Sequence, residues 1–116
     1  MALVAKTDVK MDTWGDNVQV VQWPLALQSS TFERFECPGA ADRSVQVEGT
    51  FNGASIGLEG SNDGTTYHAL NDLSGTPIAL AASGLAQVLE LTRYVRPAMT
   101  GGGGSTSLTT TLLAKR

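Results

Sequence analysis

The chain has 116 residues, a formal net charge of −3 and a single cysteine, Cys37. Charged residues make up only 16% of it, and glycine occurs 13 times. This length predicts one domain. The acidic, charge-poor composition argues against a nucleic-acid-binding protein, and one cysteine excludes an intrachain disulfide.

The amino-terminal residues show no clean periodicity. We interpret residues 1–13 as a tail, or as an arm that becomes ordered on a neighbouring subunit. Residues 14–116 are then one β-sandwich domain. The apolar run before Lys6 is too short for a signal peptide, and no run has the length of a membrane span. We therefore expect synthesis and folding in the cytoplasm, without a membrane partner.

Residues 18–27 predict the first long strand. Apolar residues alternate from Val18 and then switch parity, which indicates a bulge. The second set is Val21, Trp23, Leu25 and Leu27, and we expect Trp23 to be in the core. Pro24 cannot donate to a β-ladder, so it predicts an edge position or a break. Residues 31–37 predict a shorter strand that ends at a Pro-Gly turn.

Residues 44–67 have the clearest pattern in the chain. Asn52-Gly53 is typical of a type I′ turn, because both residues tolerate positive φ. Apolar residues occupy every second position on both sides of it, at Val45, Val47, Phe51, Ala54, Ile56 and Leu58. This predicts a β-hairpin with Val47 opposite Leu58 and with the intervening polar side chains in water.

The rest of the chain predicts more short strands. They lie at residues 66–70, at 78–82 as a weak candidate, within 87–99, and at 105–113. Pro97 favours an edge or a strand end, and the glycines at 101–104 predict a loose hairpin connection. Turn residues every eight to twelve positions are typical of a sandwich or barrel. We predict an all-β, antiparallel β-sandwich of jelly-roll character.

No group of residues predicts catalysis, a cofactor or a metal. His68 has no acid and nucleophile assigned to it by the sequence, and Cys37 is expected to be a small buried side chain. The oxygens of Asn62, Asp63 and Asp72 do not have the spacing of a calcium loop, and Asx residues usually cap their own turns. The glycine run lacks the lysine of a phosphate-binding loop. We predict a protein that is not an enzyme.

Two sets of residues resemble known families. The segment LEGSNDGTTY at 58–67, followed by RYVR at 93–96, is similar to a motif of discoidin-like, galactose-binding-like β-sandwiches. Tyr67 stands where those domains usually have tryptophan. The patterned segment 45–64, the segment 88–97 and the glycine-rich loop before residues 107–109 resemble the small decoration, or cement, proteins of tailed bacteriophages.

The second resemblance covers residues 18–114 and implies a virion structural protein on the outer capsid surface. Such a protein binds the phage major capsid protein as a homodimer or homotrimer, without nucleic acid. We then expect partner contacts at Lys6 and Trp14 in the amino-terminal region, and at Arg93 and Arg96. The two arginines could instead form surface salt bridges.

Two alternatives remain open. One is a phage tail or head-fibre component, since such proteins share the same sandwiches. The other is a carbohydrate-binding module, whose site would place exposed aromatic and polar groups in a cleft around Tyr67, His68 and Asn71.

Overall fold

The computed structural model describes residues 3–10 and 17–116, and the predicted contact residue Trp14 lies outside these ranges. The described residues form eleven β-strands. They are β1 (Leu3–Val4), β2 (Thr7–Lys10), β3 (Val18–Ala26), β4 (Thr31–Phe32), β5 (Phe35–Glu36), β6 (Asp42–Thr50), β7 (Ala54–Ser61), β8 (His68–Ala69), β9 (Gly84–Gln87), β10 (Tyr94–Gly101) and β11 (Ser107–Lys115). Within the described ranges, no helix has the length and hydropathy that crossing a membrane requires.

Two antiparallel sheets form the sandwich. One has the order β2-β3-β11-β6-β9 and the other the order β5-β10-β7-β8. A separate parallel pair joins β1 to β4. At most connections the chain passes from one sheet to the other, and the last strand, β11, lies between β3 and β6. This is the wrapping of a jelly roll, and it confirms the predicted fold class.

The strands on either side of Asn52-Gly53 lie in different sheets, so the predicted hairpin pairing is wrong. β6 pairs with β11 and β9, whereas β7 pairs with β10 and β8. The turn itself forms, with φ of 46° at Asn52 and 84° at Gly53, and the Ala54 N–H donates to the Phe51 carbonyl at 2.8 Å. β6 and β7 therefore face each other across the core. Alternation reveals a buried face, but it does not distinguish pairing within a sheet from packing between sheets.

The glycine run at 101–104 is also a connection between the two sheets, and not the predicted hairpin. It packs against the Asn52-Gly53 turn, and a Cβ at Gly101 (φ 68°) would lie 2.7 Å from the Gly53 carbonyl oxygen. The Thr106 hydroxyl ties the two connections together, because it donates to the Phe51 carbonyl at 3.0 Å and accepts a bond from the glycine loop at 2.9 Å. Glycine is needed here for close approach.

The core lies between the two sheets, and the bulge in β3 decides which residues enter it. Trp23 is fully buried, as predicted. The register with β11 shifts just after it, which confirms the bulge. Ala26 consequently takes the next core position, and Leu25 and Leu27 are 70% and 59% exposed. The extra residue turns these two leucines toward solvent.

Both strand prolines lie within internal strands, so the predicted edge positions are wrong, but each lies beyond the end of one neighbouring strand. β2 pairs with β3 only as far as Gln22, and β5 pairs only with Tyr94 and Val95 of β10. Pro24 and Pro97 therefore face no partner on that side, and no ladder hydrogen bond is lost.

The weak strand candidate at 78–82 is not a continuous strand in the structure. The predicted strand at 78–82 forms only an isolated bridge between Leu80 and Ile56, together with a bridge between Pro77 and Asn71.

At the amino terminus, β1 pairs with β4 and β2 pairs with β3, so residues 3–10 lie against their own chain.

Candidate protein-binding surface

The outer face of the four-stranded sheet carries a group of arginines stacked on tyrosines. Along β10, Val95 and Pro97 point into the core, so Tyr94 and Arg96 point outward. We call the residues Arg34, Tyr67, Arg93, Tyr94 and Arg96 the arginine–tyrosine cluster.

Two guanidinium groups cover the ring of Tyr94. The Arg34 guanidinium carbon lies 4.1 Å from the ring centroid and that of Arg93 lies 5.0 Å from it. Tyr94 is consequently only 8% exposed although it points away from the core. Arg34 also donates to the carbonyl of Gly64 at 3.3 Å. These contacts are cation–π stacks, which hold the guanidinium planes in fixed positions.

Two hydrogen bonds hold Arg93 in addition to its stack on Tyr94. Its Nε donates to a Glu36 carboxylate oxygen at 2.8 Å, and this hydrogen bond raises the pKa of Arg93. Its backbone N–H donates to the side-chain oxygen of Asn62 at 3.0 Å. The side chain remains about half exposed, so it can still contact a partner.

Arg96 lies directly opposite Glu59 in the register of β10 and β7. Its Nε donates to the Glu59 carboxylate, and its guanidinium lies 3.6 Å from the centroid of the Tyr67 ring. Arg93 and Arg96 therefore both form the surface ion pairs that were one of the two interpretations of this strand. Their contact with a partner stays a prediction.

Lys6 lies beside the cluster. Its Nζ is 5.6 Å from the Phe35 ring centroid and 3.7 Å from a carboxylate oxygen of Asp8. Lys6 also lines a shallow depression of about 360 Å³ together with Glu33, Arg34, Phe35, Glu36 and Tyr94. The structure thus brings Lys6 and Arg93 to neighbouring positions, although 87 residues separate them in the chain.

Sequence reasoning missed Arg34 and the stacking role of Tyr67. Arg34 precedes Phe35 and so alternates with the core residues of a short strand, which is a signal for an outward position. Nothing in the local sequence indicates that it reaches Tyr94, since that contact depends on the pairing of β5 with β10.

A polar cleft of about 740 Å³ lies beside β8, near the residues named for a carbohydrate site. It is lined by Gly60, Ser61, Asn62, Asp63, Thr66, His68, Ala69, Leu70, Glu90 and Thr92. Its carboxylates are engaged within the chain. Glu90 accepts from the backbone and the side chain of Asn71 at 2.8 and 2.6 Å, which lowers the pKa of Glu90. The ring of Tyr67 is covered by Arg96.

The two loop aspartates cap their own turns, as the sequence predicts. One oxygen of Asp63 accepts from the backbone N–H groups of Thr66 and Thr65 and from the Ser61 hydroxyl, which together lower the pKa of Asp63 to about 2. Asp72 binds its own turn in the same way. Within residues 3–10 and 17–116, no group of three or more His, Cys, Asp or Glu side chains could hold a metal ion.

Cys37 and His68 lie in different places. Cys37 is 5% exposed, and burial raises the pKa of its thiol. It lines a small cleft of about 240 Å³ near Arg116, whereas His68 is exposed on β8. The structure therefore does not bring the two side chains together.

Comparison with models of known protein families, with curated proteins and with solved structures gives no match.

Proposed function

We propose that this protein is a virion structural protein that decorates the outer capsid surface of a bacteriophage. In this proposal it is made in the host cytoplasm and binds the major capsid protein as a homo-oligomer, without chemistry of its own. The observation that supports binding is the arginine–tyrosine cluster. The class of partner is taken from the resemblance of the sequence to decoration proteins.

The composition of the cluster favours protein recognition. Arginine and tyrosine are enriched among the residues that dominate binding energy in protein interfaces. A guanidinium stacked on a ring presents its N–H groups in a fixed fork that matches carboxylates and carbonyls. Because the stacks already exist in the free protein, less side-chain entropy is lost on binding.

Arg34 is the cluster member most available to a partner. Among the described residues its guanidinium has no carboxylate within ion-pair distance, whereas Arg93 is paired with Glu36 and Arg96 with Glu59. An acidic or carbonyl-rich patch on the capsid would supply the acceptors. Lys6 lies beside Arg34 and adds a further cation to the same surface.

Binding to empty shells assembled from the phage major capsid protein tests the proposal. We expect the wild-type protein to cosediment with shells and to saturate. Arg34→Ala should weaken binding at least about fivefold, because truncating a hot-spot residue costs more than ~1 kcal/mol. Arg34→Lys should bind with intermediate affinity, since it keeps the charge but loses the planar fork.

A matched control is Lys115→Ala, which removes an exposed cation from the other sheet. It should leave shell binding unchanged. Failure of the wild-type protein to bind shells would overturn the proposal. If Arg34→Ala binds shells as tightly as the wild type, the arginine–tyrosine cluster is not the binding surface.

The polar cleft beside β8 supports a second candidate, a carbohydrate-binding module. Its exposed His68 and the free positions on Asn62 and Thr66 could bind sugar hydroxyls. A glycan array separates the candidates, because specific sugar binding by the protein would favour this second function over capsid decoration.

A further inference from the structure

Uncharged side chains occupy the middle of the outer face of the five-stranded sheet, on four of its strands. The register of β3, β11, β6 and β9 places them in two cross-strand rows. The rows are Gln22, Thr111, Gln46 and Leu85, and then Val20, Leu113, Ser44 and Gln87. We call these eight residues the uncharged face.

Charged residues lie at the ends of this face and not within it. Asp42 and Lys115 lie opposite each other beyond one row, and Lys10 of β2 lies opposite Val20 at the end of that row. Glu48 lies opposite Thr109 beyond the other row. The apolar members are unusually open to solvent, since Leu85 is 66% exposed and Leu113 is 39% exposed. Depletion of charge at the centre with a charged rim is the composition of a protein interface.

Leu25 extends this face at its edge. Its backbone N–H donates to the hydroxyl of Thr109, which precedes Thr111 and Leu113 in the outward series along β11. Leu25 has φ of 53° and is 70% exposed. A bulky residue held in the left-handed region is strained, and such strain is found where a side chain serves a function. The bulge thus presents an apolar side chain to solvent at the rim.

We propose that a second copy of this chain covers the uncharged face, so that two five-stranded sheets stack about a twofold axis. A twofold interface sets a patch against its own image. A neutral patch allows this, whereas the arginine–tyrosine cluster would face its own charges. The stack buries the exposed apolar residues Leu25, Leu85 and Leu113 and leaves the cluster on the outside of the dimer.

The size of the face agrees with a stable dimer. Together with its charged rim and the short edge strands β2 and β9, the outer face of this sheet has three strands about 30 Å long and two about 13 Å long, spaced about 4.8 Å apart, and covers on the order of 550 Å² of plane. The accessible surface over that plane is larger, and a stable interface needs about 800 Å² from each partner. The dimer rests on the homo-oligomer of the proposed function, but it is tested without any capsid.

Sedimentation velocity of the purified full chain, from about 1 to 100 μM, tests the stack. We expect a concentration-dependent dimer for the wild-type protein. Thr111→Lys places a cation at the centre of the face, so two lysines meet near the axis, and we expect the dimer dissociation constant to rise at least tenfold. Thr100→Lys is the matched control, because Thr100 is an exposed threonine on the other sheet, and it should dimerise like the wild type.

Circular dichroism checks that each variant is folded, and Gln46→Lys, at a neighbouring exposed position, replaces Thr111→Lys if that variant does not fold. A wild-type protein that stays monomeric at about 100 μM, or forms a trimer, overturns the proposal. So does a dimer that Thr111→Lys leaves intact or that Thr100→Lys weakens equally. A monomeric Thr111→Lys variant that still binds shells would leave the proposed function standing.

Discussion

Two buried threonines offer a matched test of the core. Thr110 on β11 is fully buried, and its hydroxyl has no hydrogen-bond partner among the residues that the structure describes. Thr106 is 2% exposed, and its hydroxyl both donates to the Phe51 carbonyl and accepts from the Gly103 N–H. Valine has the shape of threonine with a methyl group in place of the hydroxyl. The same substitution therefore removes an unpaired group at one position and two hydrogen bonds at the other.

The two substitutions should change the free energy of unfolding in opposite directions. A buried polar group without a partner costs about 1–3 kcal/mol, so we expect Thr110→Val to stabilise the protein by about 1 kcal/mol. Thr106→Val removes both bonds; the Gly103 N–H is left unpaired, whereas the Phe51 carbonyl keeps its bond from the Ala54 N–H, and we expect a destabilisation of about 1–2 kcal/mol. In thermal melting, about 1 kcal/mol corresponds to a shift in Tm of about 4 °C for a domain of this size.

Equilibrium unfolding in urea measures both values, with unchanged slopes as the check that each variant unfolds like the wild type. Destabilisation by Thr110→Val of about 1 kcal/mol or more would show that the hydroxyl is paired in the folded protein. A neutral Thr106→Val would show that its two bonds do not hold the connections between the sheets.

Three further predictions concern a buried cation, the bulge and a turn. Arg43 is 1% exposed and donates to the carbonyls of Ala40, Cys37 and Thr92 at 2.7 Å each. Arg43→Met removes all three bonds, and of these carbonyls that of Cys37 keeps a bond from the Ala40 N–H. We expect a loss of about 2–4 kcal/mol in urea unfolding, and a loss under about 1 kcal/mol would contradict this role. Leu25→Asn is best measured in the Thr111→Lys variant, which we expect to be monomeric. It should stabilise that variant by about 0.5–1 kcal/mol, because asparagine tolerates positive φ and an exposed leucine loses little packing. No change in the urea midpoint would argue against strain at this residue. Asp63 has a pKa of about 2 in the folded chain and about 3.9 when unfolded. Its contribution to the stability of the folded state is therefore present above about pH 4 and is lost as the pH falls through about 2. Asp63→Asn should therefore lose less Tm than the wild type between these pH values, and equal losses would contradict the capping role.

The local patterns of the sequence predicted strand positions and buried faces, because alternation and turn residues act within a few positions. Val47 and Leu58 were both correctly expected in the core. Their pairing was wrong because the same alternation arises when two strands face each other across a sandwich. The exposure of Leu25 was not predicted, because one extra residue in β3 reverses the parity of everything after it.

The candidate binding surface was only partly accessible to sequence reasoning. Arg93 and Arg96 lie close together in the chain, so their shared strand could be predicted. Arg34 and Tyr67 reach the cluster only through the pairing of β5 and β7 with β10, which depends on contacts far apart in the chain. The uncharged face has the same origin, since its rows combine residues from four strands.

Hydrogen–deuterium exchange of the protein bound to empty capsid shells tests the central claim that it works by adhesion through the arginine–tyrosine cluster. Compared with the free protein, we expect added protection in peptides covering residues 33–37 and 91–97. We expect little change at residues 44–48 and 109–113, which lie in the proposed dimer interface. Shell binding with protection confined to the cleft at residues 60–71, or with none at 33–37 and 91–97, would contradict the account.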